Sequence, residues 1–251
     1  MEMKESSKSK FRKLFSFKNI GVAGLFLAAL FSMAHYVWKF SGNGQWSLES
    51  EKDGVSVFSM KMPGRTLKKF RTVARMPGTL DGSVAMMMDT SVATCSELVP
   101  GCISGKAIKK WNADSLSSTY LWRVDLPSPM TPREFLLETK FIPNLRQNKV
   151  VVMITAFPNL APKNDCCHRV AKVRNVWSFT EISPGLIEVV SIQDMDAGLP
   201  YFLLNSTAPM TMQKLFKRLP GIINKKEFQV KKYEFMQGGD ATPNSKSAVS
   251  G

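Results

Sequence analysis

Histidine is nearly absent from this chain: its 251 residues include only His35 and His168. His35 lies inside a long apolar run and His168 beside two cysteines, so no Ser-His-Asp constellation can be assembled. A glycine-rich phosphate loop is missing as well. The acids Asp194 and Asp196 stand at a strand end, where a turn-forming role accounts for them. These gaps predict a protein that is not an enzyme and needs no cofactor.

Acidic residues are also few. The chain has 20 Asp and Glu against 34 Lys and Arg, a formal net charge of +14. Lys4, Lys8, Lys10, Arg12, Lys13 and Lys18, set against Glu2 and Glu5, put only +4 of this in residues 1–18. Such an excess favours anionic partners. A nucleic-acid module would show a compact basic run interleaved with stacking aromatics, and here the basic residues are thinly spread. An anionic membrane surface is therefore expected, and nucleic acid is not.

Four cysteines (Cys95, Cys102, Cys166 and Cys167) permit three full pairings, among which the sequence does not choose. Cys166-Cys167-His168 could in principle chelate a metal, but three consecutive residues rarely point at one ion, and zinc sites use spaced pairs. The expectation is no metal site, with ordinary thiols or one structural disulfide.

What the chain does have is one long apolar run. Ile20–Trp38 contains no acidic or basic side chain other than His35. As a helix it would span roughly 28 Å, close to the hydrocarbon thickness of a bilayer. Basic residues 1–19 precede it and only Lys39 directly follows, which predicts a cytoplasmic N-terminus with the rest of the chain across the membrane. Tyr36, Trp38 and Phe40 would form an aromatic belt at the far interface. The competing reading is a signal peptide with apolar core Ile20–Phe31, cleaved after small residues near Ser32-Met33-Ala34 and leaving a secreted domain. Both readings put the domain in a periplasm or lumen, or outside the cell. A mitochondrial presequence fits poorly, because Glu2 and Glu5 interrupt the basic stretch.

After the linker Ser41-Gly42-Asn43-Gly44, a domain is expected over residues 44–222. A short segment at Gln45–Ser50 leads to the turn Asp53-Gly54. Alternation predicts strands over 55–61 and 67–75, a helix over 79–89, and further strands over 103–111, 118–125, 133–141, 150–157, 171–180 and 186–193. Residues Tyr201–Leu219 carry a helical stripe. Pro209 is read as its start or a kink, and Pro220-Gly221 as its end. Residues 237–251 are poor in apolar side chains and read as a disordered tail. The class is α+β: a curved antiparallel sheet of about eight or nine strands, whose apolar face one C-terminal helix covers without filling. An apolar cavity would remain between them.

Val173-Arg174-x-x-Trp177-x-Phe179, then Ile187-Glu188-Val189, Asp196-Ala197-Gly198-Leu199-Pro200 and Asn205, follow Trp46, Glu51-Lys52-Asp53-Gly54 and Pro129-x-x-Pro132-Arg133-Glu134-Phe135 in an informative order. With that spacing the chain resembles the START (StAR-related lipid-transfer) family from Trp46 to about Leu219. The resemblance implies the helix-grip fold and a tunnel that holds one sterol, phospholipid or other lipid. Candidate lining residues are Tyr120, Trp122 and Val124 on one strand face, and Trp177 and Phe179 with Val173 on another. Met212, Leu215 and Phe216 on the C-terminal helix join them, together with Met210 and Leu219. Either strand face can line the tunnel, and ordinary core packing explains any one aromatic equally well.

In the family an omega-type loop covers the mouth. Its counterpart is Leu126–Pro132, with Leu126 and Met130 as an apolar tip that either enters a bilayer or caps a plain surface hairpin. Lys214, Lys217 and Arg218 would meet lipid headgroups or simply solvent. Several family members bury an arginine where this chain has Thr139, which implies a less polar tunnel end. Arg174 is the alternative polar contact, unless it pairs with Asp194 or Glu188. Where a tryptophan often follows the family's second helix, this chain has Cys95. The expected function is binding one lipid and transferring it between membranes. A membrane-tethered lipid sensor or an enzyme of the same superfamily are the other readings. No second signalling domain is visible in the sequence, which favours transfer.

Overall fold

A computed structural model describes residues 17–236. The basic segment before residue 17 and the tail over 237–251 lie outside them. The described chain divides into two units, one holding residues up to Gln45 together with Lys61–Thr66, the other holding Trp46–Met60 and everything from Leu67.

The first unit is built on helix α1 (Phe17–Phe40). Its stretch Gly21–Phe40 is long and apolar enough to cross a membrane, and none of it is buried in protein. Twenty residues at 1.5 Å each give roughly 30 Å, the thickness of a hydrocarbon core. The helix end is held by the 61–66 segment. Trp38 donates its indole N–H to the Thr66 carbonyl at 2.8 Å. The Lys61 ammonium donates to the carbonyls of Lys39 (3.2 Å) and Ser41 (3.1 Å), and Gly64 N–H to that of Lys39 (2.8 Å). A cation at the last turn satisfies carbonyls that the helix cannot, and it meets the negative end of the dipole.

The second unit is one mostly antiparallel sheet with helices on its inner face. Its strands are β1 (Trp46–Lys52), β2 (Val55–Met60), β3 (Lys69–Pro77), β4 (Cys102–Asn112), β5 (Ser117–Val124), β6 (Arg133–Asn144), β7 (Lys149–Ala156), β8 (His168–Arg169), β9 (Lys172–Ser183), β10 (Leu186–Gln193) and β11 (Met195–Asp196). Nine run in the order β1-β2-β3-β10-β9-β7-β6-β5-β4, while β8 pairs with β6 and β11 with β9. The nine-strand path matches the expected sheet. The pairs β8 and β11 are two residues each, too short for alternation to reveal. Exposed Lys106, Lys109 and Lys110 stand on the edge strand β4, where charge discourages pairing with another chain.

Helix α2 (Leu80–Met88) begins at Thr79, whose hydroxyl accepts from Gly82 N–H at 3.0 Å. Gly82 has to be small: a Cβ there would lie 2.3 Å from Gln229 Nε2 and 2.8 Å from the Ile223 carbonyl. Helix α3 (Val92–Leu98), one short turn pair capped by Ser91, was not expected from the apolar pattern.

Helix α4 (Tyr201–Ile223) is continuous through both Pro209 and Pro220, so Pro220-Gly221 does not end it. An interior proline costs ~3 kcal/mol. Beyond Leu219, α4 buries Ile222 and Ile223, each worth about 1.5–3 kcal/mol, which offsets that cost. The helix start is tied to the sheet by Asn205, whose Oδ1 accepts from Lys68 N–H at 2.9 Å. The packed chain continues past residue 222. Helix α5 (Lys226–Gln229) buries Phe228, and Phe235 sits 5.5 Å from the Trp111 ring and 6.1 Å from that of Phe141.

Candidate functional site: an apolar cavity between sheet and helix

The sheet is longer than α4 can cover, and a cavity of about 220 Å³ remains beside the helix. Period-2 alternation puts Tyr120, Trp122 and Val124 of β5 on its wall, next to Phe135 and Leu137 of β6. The register pairs Tyr120 with Leu137 and Trp122 with Phe135. From the other side come Val173, Asn175 and Trp177 of β9, with Ile154, Gln193 and Met195. Both strand faces that the sequence left open therefore line the same space. Met86 and Met87 of α2, Leu98–Pro100, and Thr211, Met212 and Leu215 of α4 complete it.

Six candidates fall outside this lining. Phe179 and Phe216 lie in the core, their rings stacked on Trp177 at 6.1 and 5.7 Å, so that Trp177 alone of the three meets the cavity. Thr139 is buried, and its hydroxyl donates to the Tyr120 hydroxyl at 3.2 Å. Arg174 alternates outward between Val173 and Asn175 and is exposed. Its expected partners are taken: Asp194 pairs with Lys69 at 3.0 Å and Glu188 with Arg75 at 3.4 Å. Met210 is 55% exposed and Leu219 fully buried in the core, because only one stripe of α4 faces the cavity.

The proline-rich turn is placed apart from the lining. Leu126 and Met130 are half-buried, and neither borders the cavity. The loop that does border it is Leu98–Pro100, and Cys95–Cys102 closes a disulfide across that loop, Cα to Cα 5.8 Å. On α4, Lys214 and Arg218 are exposed, while Lys217 pairs with Asp53 at 3.2 Å.

Cys166 and Cys167 are bonded to each other, so all four cysteines lie in two disulfides rather than at most one. Disulfide sulfurs have no thiolate to offer a metal. Among the described residues no three His, Cys, Asp or Glu side chains are grouped to hold an ion.

Burial in the apolar wall pushes the Tyr120 hydroxyl up to about 12, although the Thr139 contact acts in the opposite direction. The phenol is therefore neutral across the physiological range. Among the described residues, Asp89 is the single charged one on the wall. Its carboxylate is held by Ser91 N–H at 2.9 Å and the Thr94 hydroxyl at 2.8 Å.

Buried charges that the local pattern does not reveal stand behind the wall. Glu134 is 1% exposed and accepts from Arg169 at 2.6 Å. Arg169 also donates to the carbonyls of Pro158, Ala161 and Pro162, holding the loop before β8. Arg133 donates to the carbonyls of Ala197 (2.6 Å), Gly198 (3.0 Å) and Thr131. Asp196 makes the adjoining turn, its Oδ1 accepting from Gly198 N–H at 3.0 Å. The available signal was Arg133-Glu134 itself, two charges in a stretch otherwise patterned for burial.

No protein-family model matches the chain, and no curated protein matches its sequence. Solved structures do match its fold. A STAR-related lipid transfer protein from Xanthomonas axonopodis superposes with a TM-score of 0.64 at 18% identity, covering 73% of this chain and all of that one. Human STARD10 gives 0.58 at 16% identity over 75% and 79% of the two chains. Human StAR-related lipid transfer protein 5 gives 0.55 at 17% identity over 82% and 97%. On this likeness the chain has the helix-grip fold of the START domains.

Proposed function

We propose that this protein holds one lipid in the cavity beside α4 and transfers it between membranes, without catalysing a reaction on it. The observation that carries the reading is an apolar cavity of about 220 Å³, walled by Met and aromatic side chains, in a fold shared with proteins named for lipid transfer. Methionine suits such a wall because it repacks around different ligands at little cost. Met86, Met87, Met195 and Met212 all contribute.

The α1 helix tethers the domain to a membrane, and the excess of basic residues favours an anionic surface. Two disulfides support an oxidising compartment, and so a domain on the non-cytoplasmic side. The orientation agrees with the basic residues that precede α1.

The test uses the full chain reconstituted in liposomes. Solvent extraction after purification should release about one lipid per protein, identified by mass spectrometry. Fluorescent lipid should then move from these donor vesicles to acceptors faster than from protein-free vesicles. Protein that carries no lipid and leaves transfer unchanged overturns the proposal. Chemical turnover of the bound lipid would assign it to an enzyme instead.

A further inference from the structure

We infer that the cavity selects an uncharged lipid carrying a hydroxyl or amide, and that Asn175 and Gln193 are the residues that recognise it. The inference rests on the lipid-binding reading above and narrows it to a ligand class.

Charge sets one limit on the ligand. Among the described residues, Asp89 is the one charged residue on the cavity wall, and no Lys or Arg lines it. A buried phosphate needs cationic or multiple N–H partners, since an unpaired charge in an apolar site is strongly penalised. Here it would meet no cation and would share the space with a carboxylate. Phospholipid headgroups are disfavoured on both counts.

A pair of amides sets another. Asn175 on β9 lies directly across from Gln193: the β9–β10 register runs Val176 to Ile192, and Val173 pairs with Met195 beyond them. Both amides line a wall that is otherwise almost wholly apolar. Their orientations are set by neighbours. Asn175 Oδ1 accepts from Asp194 N–H at 3.1 Å, which leaves its NH2 as the available donor. Gln193 Nε2 donates to the Ser191 hydroxyl at 2.8 Å, which leaves its Oε1 as the available acceptor. One donor and one acceptor side by side match a hydroxyl, which both gives and takes a hydrogen bond. A secondary amide matches them equally well.

Volume agrees. About 220 Å³ is below the ~300–1,000 Å³ common for ligand pockets, so a single compact body fits this space better than two acyl chains. A site built to bond a hydroxyl rejects analogues that lack one, because its own polar groups are then left unpaired.

The test is photolabelling of the full-length protein in proteoliposomes. Diazirine-bearing cholesterol, monoacylglycerol and fatty-acid ethanolamide are compared at equal mole fraction with diazirine-bearing phosphatidylcholine and phosphatidylglycerol, and labelled peptides are mapped by mass spectrometry. At least one neutral probe should label cavity peptides 10-fold or more above both phospholipids. The Asn175→Leu/Gln193→Leu variant should lose that preference. On the unaltered protein, an analogue of the preferred probe with its hydroxyl or amide removed should compete at least 10-fold less well than the parent lipid, which keeps the test valid if the variant fails to fold. Equal or stronger phospholipid labelling of the cavity overturns this inference and leaves lipid binding standing. So does undiminished competition by the analogue. Absence of cavity labelling by every probe overturns both.

Discussion

The guanidinium of Arg133 donates to the carbonyl oxygen of Ala197 at 2.6 Å, across a sequence separation of 64. Both residues belong to short motifs, Pro132–Phe135 and Asp196–Pro200, that look unrelated along the chain. In the fold they are one latch. Arg133 fixes the turn from which α4 departs, and its neighbour Glu134 fixes Arg169 on the flanking strand. Replacing Arg133 by Met leaves buried carbonyls unpaired and is expected to destabilise the protein by about 3 kcal/mol, read by denaturant unfolding. A loss below ~0.5 kcal/mol would remove the latch from the account.

The Cys95–Cys102 bond bridges the loop that carries Leu98, Val99 and Pro100 on the cavity wall. Chain entropy for so short a loop gives about 2.5 kcal/mol of stabilisation. The Cys95→Ser/Cys102→Ser variant should melt earlier by a comparable amount. Lipid should also exchange from it faster than from the parent protein. Unchanged exchange kinetics would mean that this wall does not gate the cavity.

Val173 is 3% exposed and borders the cavity beside Asn175. Val173→Phe should direct its extra volume into that space rather than into packed core, where overpacking costs about 1–3 kcal/mol. The expected result is a clear drop in co-purifying lipid with thermal stability preserved or raised. Full lipid occupancy together with marked destabilisation would place the residue in dense core instead.

Tyr120 gives a pH signature. Its folded-state pKa of about 12 lies above the ordinary 10, so between those values the unfolded chain has lost the proton while the native state keeps it. Stability tied to this group is thus fully present below pH 10 and falls as pH rises through 12, by about 3 kcal/mol in total. Alkaline unfolding curves should show this loss, and Tyr120→Phe should flatten that part of the curve. A Tyr120 that ionises near pH 10 in a tyrosinate absorbance titration would contradict its burial.

Gly82 admits α5 against α2 only because it lacks a Cβ, which would meet Gln229 and the Ile223 carbonyl. Ala is the better helix former by about 1 kcal/mol, yet Gly82→Ala is expected to lower thermal stability. A stabilised variant would show that the C-terminal segment can shift without cost.

Most of the architecture is written in local pattern. Alternation in Val55–Met60 and Leu186–Gln193 reflects strands with one buried face, and the apolar run at Ile20–Trp38 needs no partner to be read as a helix of membrane length. The START signature likewise foretold the sheet order's consequence, a cavity under a C-terminal helix. Local pattern fails where long-range packing outweighs it. Propensity would end α4 at Pro220, but Ile222 and Ile223 find a core waiting. Strands β8 and β11 exist only because β6 and β9 pair with them.

The site divides the same way. Sequence by itself determined which residues of β5 and β9 share a face, since side chains alternate along any strand, and so it found Tyr120, Trp122, Val124 and Trp177. Tertiary structure decided the rest. Only the stacking of rings shows that Trp177 screens Phe179 and Phe216 from the cavity. Only the pairing of β9 with β10 sets Asn175 across from Gln193, eighteen positions away along the chain. Which cysteines bond is likewise a matter of distances that folding creates, not of spacing.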